Sequence, residues 1–305
     1  MLEITVQTES GARHVRPTAG ELAALVERIG ADGDNFLVLE RLPDRPEVFA
    51  QVWHRTGGDY TLEHRDGSNE RHFESTVATA KAVTGALTGW ARQSAGWDLG
   101  VDWARLALPP TPEVPPLDLP EADRATLEDR LRLELAVGYT DPARLAELAE
   151  EYLVTPGRRP VSPAQAAALA RELWQERIAE QAGWQGETGP ERLTRAFAAL
   201  ERSGVTAREH FTCCRSCGQA EIGGEAAPGS RGFVYFHSQS GEAAASGHGL
   251  TLHYGGFDGT AATTTAVGHE VVAALHAVGL RTVWDGTPER AVTVTPIDWR
   301  RRLVG

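Results

Sequence analysis

The chain has 305 residues, room for about two domains, and its 41% hydrophobic and 24% charged content is that of a globular protein with a sizeable core, which excludes a disordered chain. The net charge is −12, and both residues 1–118 (18 acidic, 11 basic) and the remainder (24 acidic, 19 basic) are acidic, so no broad basic face is expected and nucleic acid is excluded as a partner. No apolar run reaches the roughly 18 residues of a membrane-spanning helix, the opening Met1-Leu2-Glu3-Ile4-Thr5-Val6 reads as a strand rather than a signal peptide, and three cysteines within five positions make no disulfide framework. The expected setting is a reducing cytoplasm, with no membrane contact.

In chain order, residues 3–7 alternate as a strand, and Thr18 and Glu21 behind Pro17 form a capping box. That box opens a helix with Leu22, Leu25, Val26 and Ile29 on one face. Strands follow at 36–41, 47–54, 60–65 and 70–75, with Gly57-Gly58 and Asp66-Gly67 as hairpin turns. A helix at 77–92 then carries Val83, Leu87 and Trp90 inward. Residues 1–106 thus read as a small α+β module, a β-meander covered by two helices, with Trp90, Trp97 and Trp103 sealing its core or its face on the second part. Six prolines between Pro109 and Pro120 favour an extended, semi-rigid spacer, so 107–120 is the linker.

Residues 120–204 have helical periodicity. Leu127, Leu131 and Leu135 mark one helix, and Asp141-Pro142 opens the next. Ser162-Pro163 with Gln165, and Thr188 with Glu191, give two further starts. The last hundred residues return to strands at 205–212, 232–237, 250–255, 280–285 and 291–297, with helices at 240–246 and 262–278. The expected class is α+β throughout: a meander, a helical middle, and a C-terminal antiparallel or mixed sheet with helices, 121–305 forming the second domain.

Chemistry concentrates in Cys213-Cys214-Arg215-Ser216-Cys217-Gly218. The two-residue gap between Cys214 and Cys217 lets both thiolates face one ion, as in a zinc knuckle, and the glycine leaves backbone amides free to approach the sulfurs. Cys213 is a third candidate ligand. His237 is taken to complete the set, with His210, His248 and His253 as the other candidates. Zinc is the cofactor this pattern suits. Two other readings stand beside it: thiols buried at a strand end, and a redox dithiol. A thioredoxin-like dithiol would need a helix right after Cys217, and Gly218, Gly223 and Gly224 count against one.

The remaining polar groups read as fold. His54, His64 and His72 lie on adjacent hairpin strands and are expected as exposed sheet residues, a metal between them being the other reading. His269-Glu270 lacks the second histidine of a metalloprotease motif, and the glycine pairs lack phosphate-loop spacing. No GxSxG nucleophile elbow occurs. Arg300-Arg301-Arg302 is expected as a solvated tail or in ion pairs. Lys81 is the only lysine, while Arg, Ala and Gly abound, the bias of a GC-rich bacterial genome.

The stretch Arg192-Leu193, Ala196-Phe197, Leu200, Gly204-Val205 and Phe211 to Gly218 resembles an uncharacterised family, a domain of unknown function from high-GC Gram-positive bacteria. Gly232 to His237, Gly249 to Leu252, Trp284-Asp285-Gly286 and Asp298 to Arg301 extend the likeness over about 120–302. It implies no catalytic residue. The first module is loosely similar to small immunity-type proteins that neutralise toxins. The expected function is a non-catalytic interaction or regulatory protein that binds another protein, with a structural zinc at the cysteines. The alternative is a metal- or thiol-dependent enzyme centred on Cys213, Cys214 and Cys217.

Overall fold

The computed structural model describes residues 1–303, which divide into two compact units. Unit 1 comprises Met1–Leu117 together with Ser162–Arg171. Its elements are β1 (Ile4–Thr8), β2 (Arg13–Val15), α1 (Ala19–Arg28), β3 (Phe36–Arg41), β4 (Val48–Trp53), β5 (Tyr60–Asp66), β6 (His72–Val77), α2 (Ala80–Ala91) and β7 (Ala104–Arg105). All seven strands pair antiparallel in the order β2-β1-β3-β4-β5-β6-β7. The capping box of Thr18 and Glu21 opens α1, as its spacing requires.

Period-two alternation sends Val6, Leu37, Leu39 and Val52 to one sheet face, where they form a single core with Leu22, Val26, Val83 and Leu87. Trp90 lies within that core, and Trp97 and Trp103 pack against it. His64 is half-buried among them, stacked on Phe73 with ring centroids 5.0 Å apart. The expectation of exposed sheet histidines is therefore corrected. His72 is 4% exposed, because its nitrogens meet Glu63 at 2.8 Å and Arg65 at 3.1 Å. His54 stacks on Tyr60 with centroids 3.8 Å apart.

The proline-rich stretch carries no helix or strand over 106–117. It is held in place by hydrogen bonds. Glu70 accepts the Thr111 amide at 2.9 Å and Asn69 donates to the Pro109 carbonyl at 2.9 Å, which lays the stretch along unit 1.

Unit 2 comprises Asp118–Val161 and Glu172–Leu303. The chain elements here are α3 (Glu121–Val137), α4 (Pro142–Glu151), α5 (Pro163–Ala182, which spans both units), α6 (Gly189–Arg202), β8 (Val205–Arg208), α7 (Arg215–Glu221), β9 (Gly232–Tyr235), α8 (Ser238–Ala245), β10 (Leu250–Gly256), α9 (Ala261–Ala277), β11 (Thr282–Val283) and β12 (Val292–Val294). The sheet order is β11-β12-β10-β9-β8, with β8 and β9 parallel and the other pairs antiparallel. The α+β class holds in both units.

One face of the unit 2 sheet carries Val234, Phe236, Leu250, Leu252, Val292 and Val294. The buried sides of α6 and α9 cover it. The other face carries Phe233 and Tyr235, which form a satellite cluster with Ile222. The C-terminal arginines are not a solvated tail. Arg301 lies 3.7 Å over the Tyr139 ring and pairs with Glu209 at 3.1 Å, and Arg302 pairs with Glu191.

Two differences from the sequence expectation matter for the site. The strand expected over 205–212 stops at Arg208, because His210 and Thr212 take left-handed backbone angles (φ 49 and 59) that cannot continue a strand. And a helix, α7, does form across the cysteines, with Cys214 at its N-cap.

Candidate metal centre

The cysteines sit on the connection that leaves β8 and returns as β9. Three contacts with the end of β9 fix its first turn. The Phe211 amide donates to the Phe236 carbonyl at 2.8 Å, and the Ser238 amide donates to the Thr212 carbonyl at 3.1 Å. The Ser238 hydroxyl donates to the Cys213 carbonyl at 2.9 Å. The Thr212 hydroxyl then reaches over Cys213 to the Cys214 carbonyl at 3.2 Å. This knot of bonds fixes the backbone at Cys213 and starts α7 at Cys214.

Gly218 is what lets α7 lie down on the sheet. A Cβ there would come within 2.4 Å of Tyr235 Cε2, so only glycine permits this approach. Its amide closes the first helical turn onto the Cys214 carbonyl at 3.0 Å, and the Tyr235 hydroxyl donates to the Arg215 carbonyl at 3.2 Å. The glycine thus serves packing against Tyr235, where the sequence reading gave it to sulfur access.

The result is a compact thiol triad. The Sγ atoms of Cys213, Cys214 and Cys217 all lie within 4.8 Å of one another, and Cys213 to Cys217 is 3.5 Å. Thiolates on one tetrahedral zinc, each about 2.3 Å from it, would be separated by about 3.8 Å. The triad therefore has the dimensions of three ligands of one ion. Cys213 is exposed, and Cys214 and Cys217 are half-buried.

Electrostatics divide the thiols. The Cys217 amide, with the neighbouring thiols and the Ser216 amide, holds the Cys214 pKa below that of an ordinary thiol. Hydrogen bonds of the Cys217 thiol to Cys213 and Cys214, and then the repulsion of a second negative sulfur beside them, push Cys217 up to about 11. A cation between the sulfurs would relieve that repulsion.

The histidines divide as well. His210 is turned away from the thiols: its ring stacks on Tyr139 with centroids 4.6 Å apart, and burial, reinforced by Arg301, lowers its pKa to about 4. His237 is buried and caps α8, its Nδ1 accepting the Ser240 amide at 3.3 Å while Nε2 faces the Ser240 hydroxyl at 3.4 Å. It is not among the residues whose ligand atoms cluster with the thiols. His253 stacks on His237 at 5.2 Å and meets Tyr235 at 5.4 Å. Burial, then His237 and Arg215, lower its pKa to about 4. His248 is exposed in the loop before β10.

Tyr235, Ser238 and Thr212 support the triad and were not singled out in the sequence. The signal for Tyr235 was present in the alternation of Phe233, Tyr235 and His237, which places one face of β9 beneath the cysteines. The polar supports carry no such pattern.

Among the described residues, no helix is long and apolar enough to cross a membrane. No curated protein and no solved structure matches the chain. Residues 120–303, the segment that holds all three cysteines, match a protein family described only as a domain of unknown function. The chain belongs to that family, DUF6891.

Proposed function

We propose that unit 2 is a metal-stabilised, non-catalytic domain in which Cys213, Cys214 and Cys217 hold one thiophilic dication. Zinc fits the ligand chemistry best, since three thiolates suit a borderline-soft ion with no geometric preference of its own. The observation that carries this reading is the triad of sulfurs within 4.8 Å of one another. The ion's work is to hold down α7, a seven-residue helix with little apolar anchorage. His237 could supply a fourth ligand only by giving up its cap on α8. The test is metal analysis of protein purified without chelator or metal resin. About one zinc per chain is expected, lost in Cys214→Ser and in Cys217→Ser, with chelation raising hydrogen exchange over 213–225. Metal-free protein that takes up no added zinc would sink the reading.

A second reading concerns unit 1, on the sheet face away from α1 and α2. Cross-strand rows Phe36–Trp53–Thr61 and Val38–Gln51–Glu63 line a groove of about 380 Å³, and Trp53 is 45% exposed. On a module with 18 acidic and 11 basic residues over 1–118, this aromatic groove suits a basic segment of another protein. An arginine-rich peptide should quench tryptophan fluorescence on binding, and Trp53→Ala should weaken that binding at least tenfold. Equal affinity in Trp53→Ala would reject the groove as the site.

A further inference from the structure

A second cavity is distant in chemistry from the cysteines. It is a cleft of about 660 Å³ within unit 2, lined by the loop between α5 and α6, the first turn of α6, the turn after α9 and the segment after β12. Its volume lies in the range of small-molecule sites. Five charged residues line it: Glu187, Arg192, Arg281, Asp298 and Arg300.

The ion pairs decide what charge is left for a ligand. Asp298 is taken by Arg300, whose Nε lies 2.8 and 3.0 Å from its two carboxylate oxygens. Glu187 is shared by two guanidiniums, Arg195 at 2.5 Å and Arg192 at 3.7 Å, so Arg192 is only partly neutralised. Arg281 has no ion-pair partner among the described residues, and Arg192 Nη1 lies 3.9 Å from where a Cβ on Gly279, two residues before Arg281, would be. Arg281, on the turn after α9, is therefore without a carboxylate, and Arg192, on α6, shares Glu187 with Arg195, so the cleft holds an excess of guanidinium over carboxylate in a chain whose net charge is −12. Both carboxylates of the lining are already engaged. Glycines at 186, 189 and 279 keep side-chain bulk out of the wall.

We infer that this cleft binds a small polyanion through Arg192 and Arg281, its oxyanion being phosphate or carboxylate. Guanidinium forks match both groups bidentately, and two of them in one cleft select ligands with at least two anionic oxygens. The site is independent of the thiol triad, so either proposal can fail alone.

Calorimetric titration of the full chain with inorganic pyrophosphate and, separately, citrate tests the inference. Binding of at least one at micromolar to low-millimolar concentration is expected, weakening with salt. Arg281→Ala and Arg192→Ala should each weaken it about tenfold or more, while Arg55→Ala, in the other unit, should not. The probe that binds identifies phosphate or carboxylate as the ligand group. No binding of either anion at millimolar concentration would overturn the inference, as would affinities unchanged in both cleft variants. Matching thermal melts of the variants without anion would show that the loss is in binding and not in folding.

Discussion

Two helices lie against the unit 2 sheet and are held there by different physics. The helix α9 has 17 residues and puts Val267, Val271 and Leu275 into the core with no exposed surface at all. Each such burial is worth about 1.5–3 kcal/mol before the cost of ordering the chain. The helix α7 has seven residues, of which only Gly218 is buried, and Ile222 just beyond it is its one large apolar anchor. What α7 has instead is hydrogen bonds at its first turn and three thiols at its exposed end. The difference teaches where a metal would have work to do: at a connection too short and too polar to be held by apolar area.

The largest effect should come from the apolar side. Leu275→Ala is expected to cost about 2–5 kcal/mol of global stability, the range for emptying a fully buried leucine site. Urea unfolding would read this as a lower midpoint with an unchanged slope. Its metal content should stay that of the parent protein, because the thiols lie with α7 in the β8–β9 connection and Leu275 is in the core that covers the other sheet face. Stripping the metal should do the reverse, loosening 213–225 while moving the global midpoint far less. If Leu275→Ala also empties the metal site, the two sides are not separable in the way the packing suggests.

How much of this was legible in the sequence follows the same division. Wherever apolar periodicity carries the structure, the reading holds: Leu22 and Val26 on α1, Val267, Val271 and Leu275 on α9, and the meander of unit 1 were all readable from spacing. It fails at α7, where Gly218 was read as a helix breaker. The glycine is there because Tyr235 leaves no room for a Cβ, and that is a tertiary reason no local propensity contains. The end of β8 failed for a related reason, since the left-handed angles at His210 and Thr212 are imposed by bonds to the end of β9. The three cysteines were legible as a cluster. The engagement of His237 as a helix cap was not, because an N-cap histidine has no spacing signature of its own. The buried His72–Glu63–Arg65 network escaped likewise, since its partners come from neighbouring strands.

The smallest effect expected is a pH dependence at the root of the α7 connection. His210 stacks on Tyr139, next to the Glu209–Arg301 pair, and burial with the nearby Arg301 charge lowers its pKa to about 4. An unfolded chain would titrate the same ring near 6.5. Between those values the unfolded state holds more protons than the folded one, so stability rises with pH there and is lost as pH falls from about 6.5 towards 4. His253, lowered to about 4 chiefly by burial, adds to the same slope. Thermal melts of metal-free protein should therefore fall across this window. His210→Phe, which keeps an aromatic ring on Tyr139 but cannot be protonated, should flatten part of the fall. Leu275→Ala should lower the whole curve without changing its shape, because no titrating group is touched. A His210→Phe protein with the parent's full acid slope would place that slope elsewhere, and would remove His210 from the set of groups that make the α7 side the weaker one.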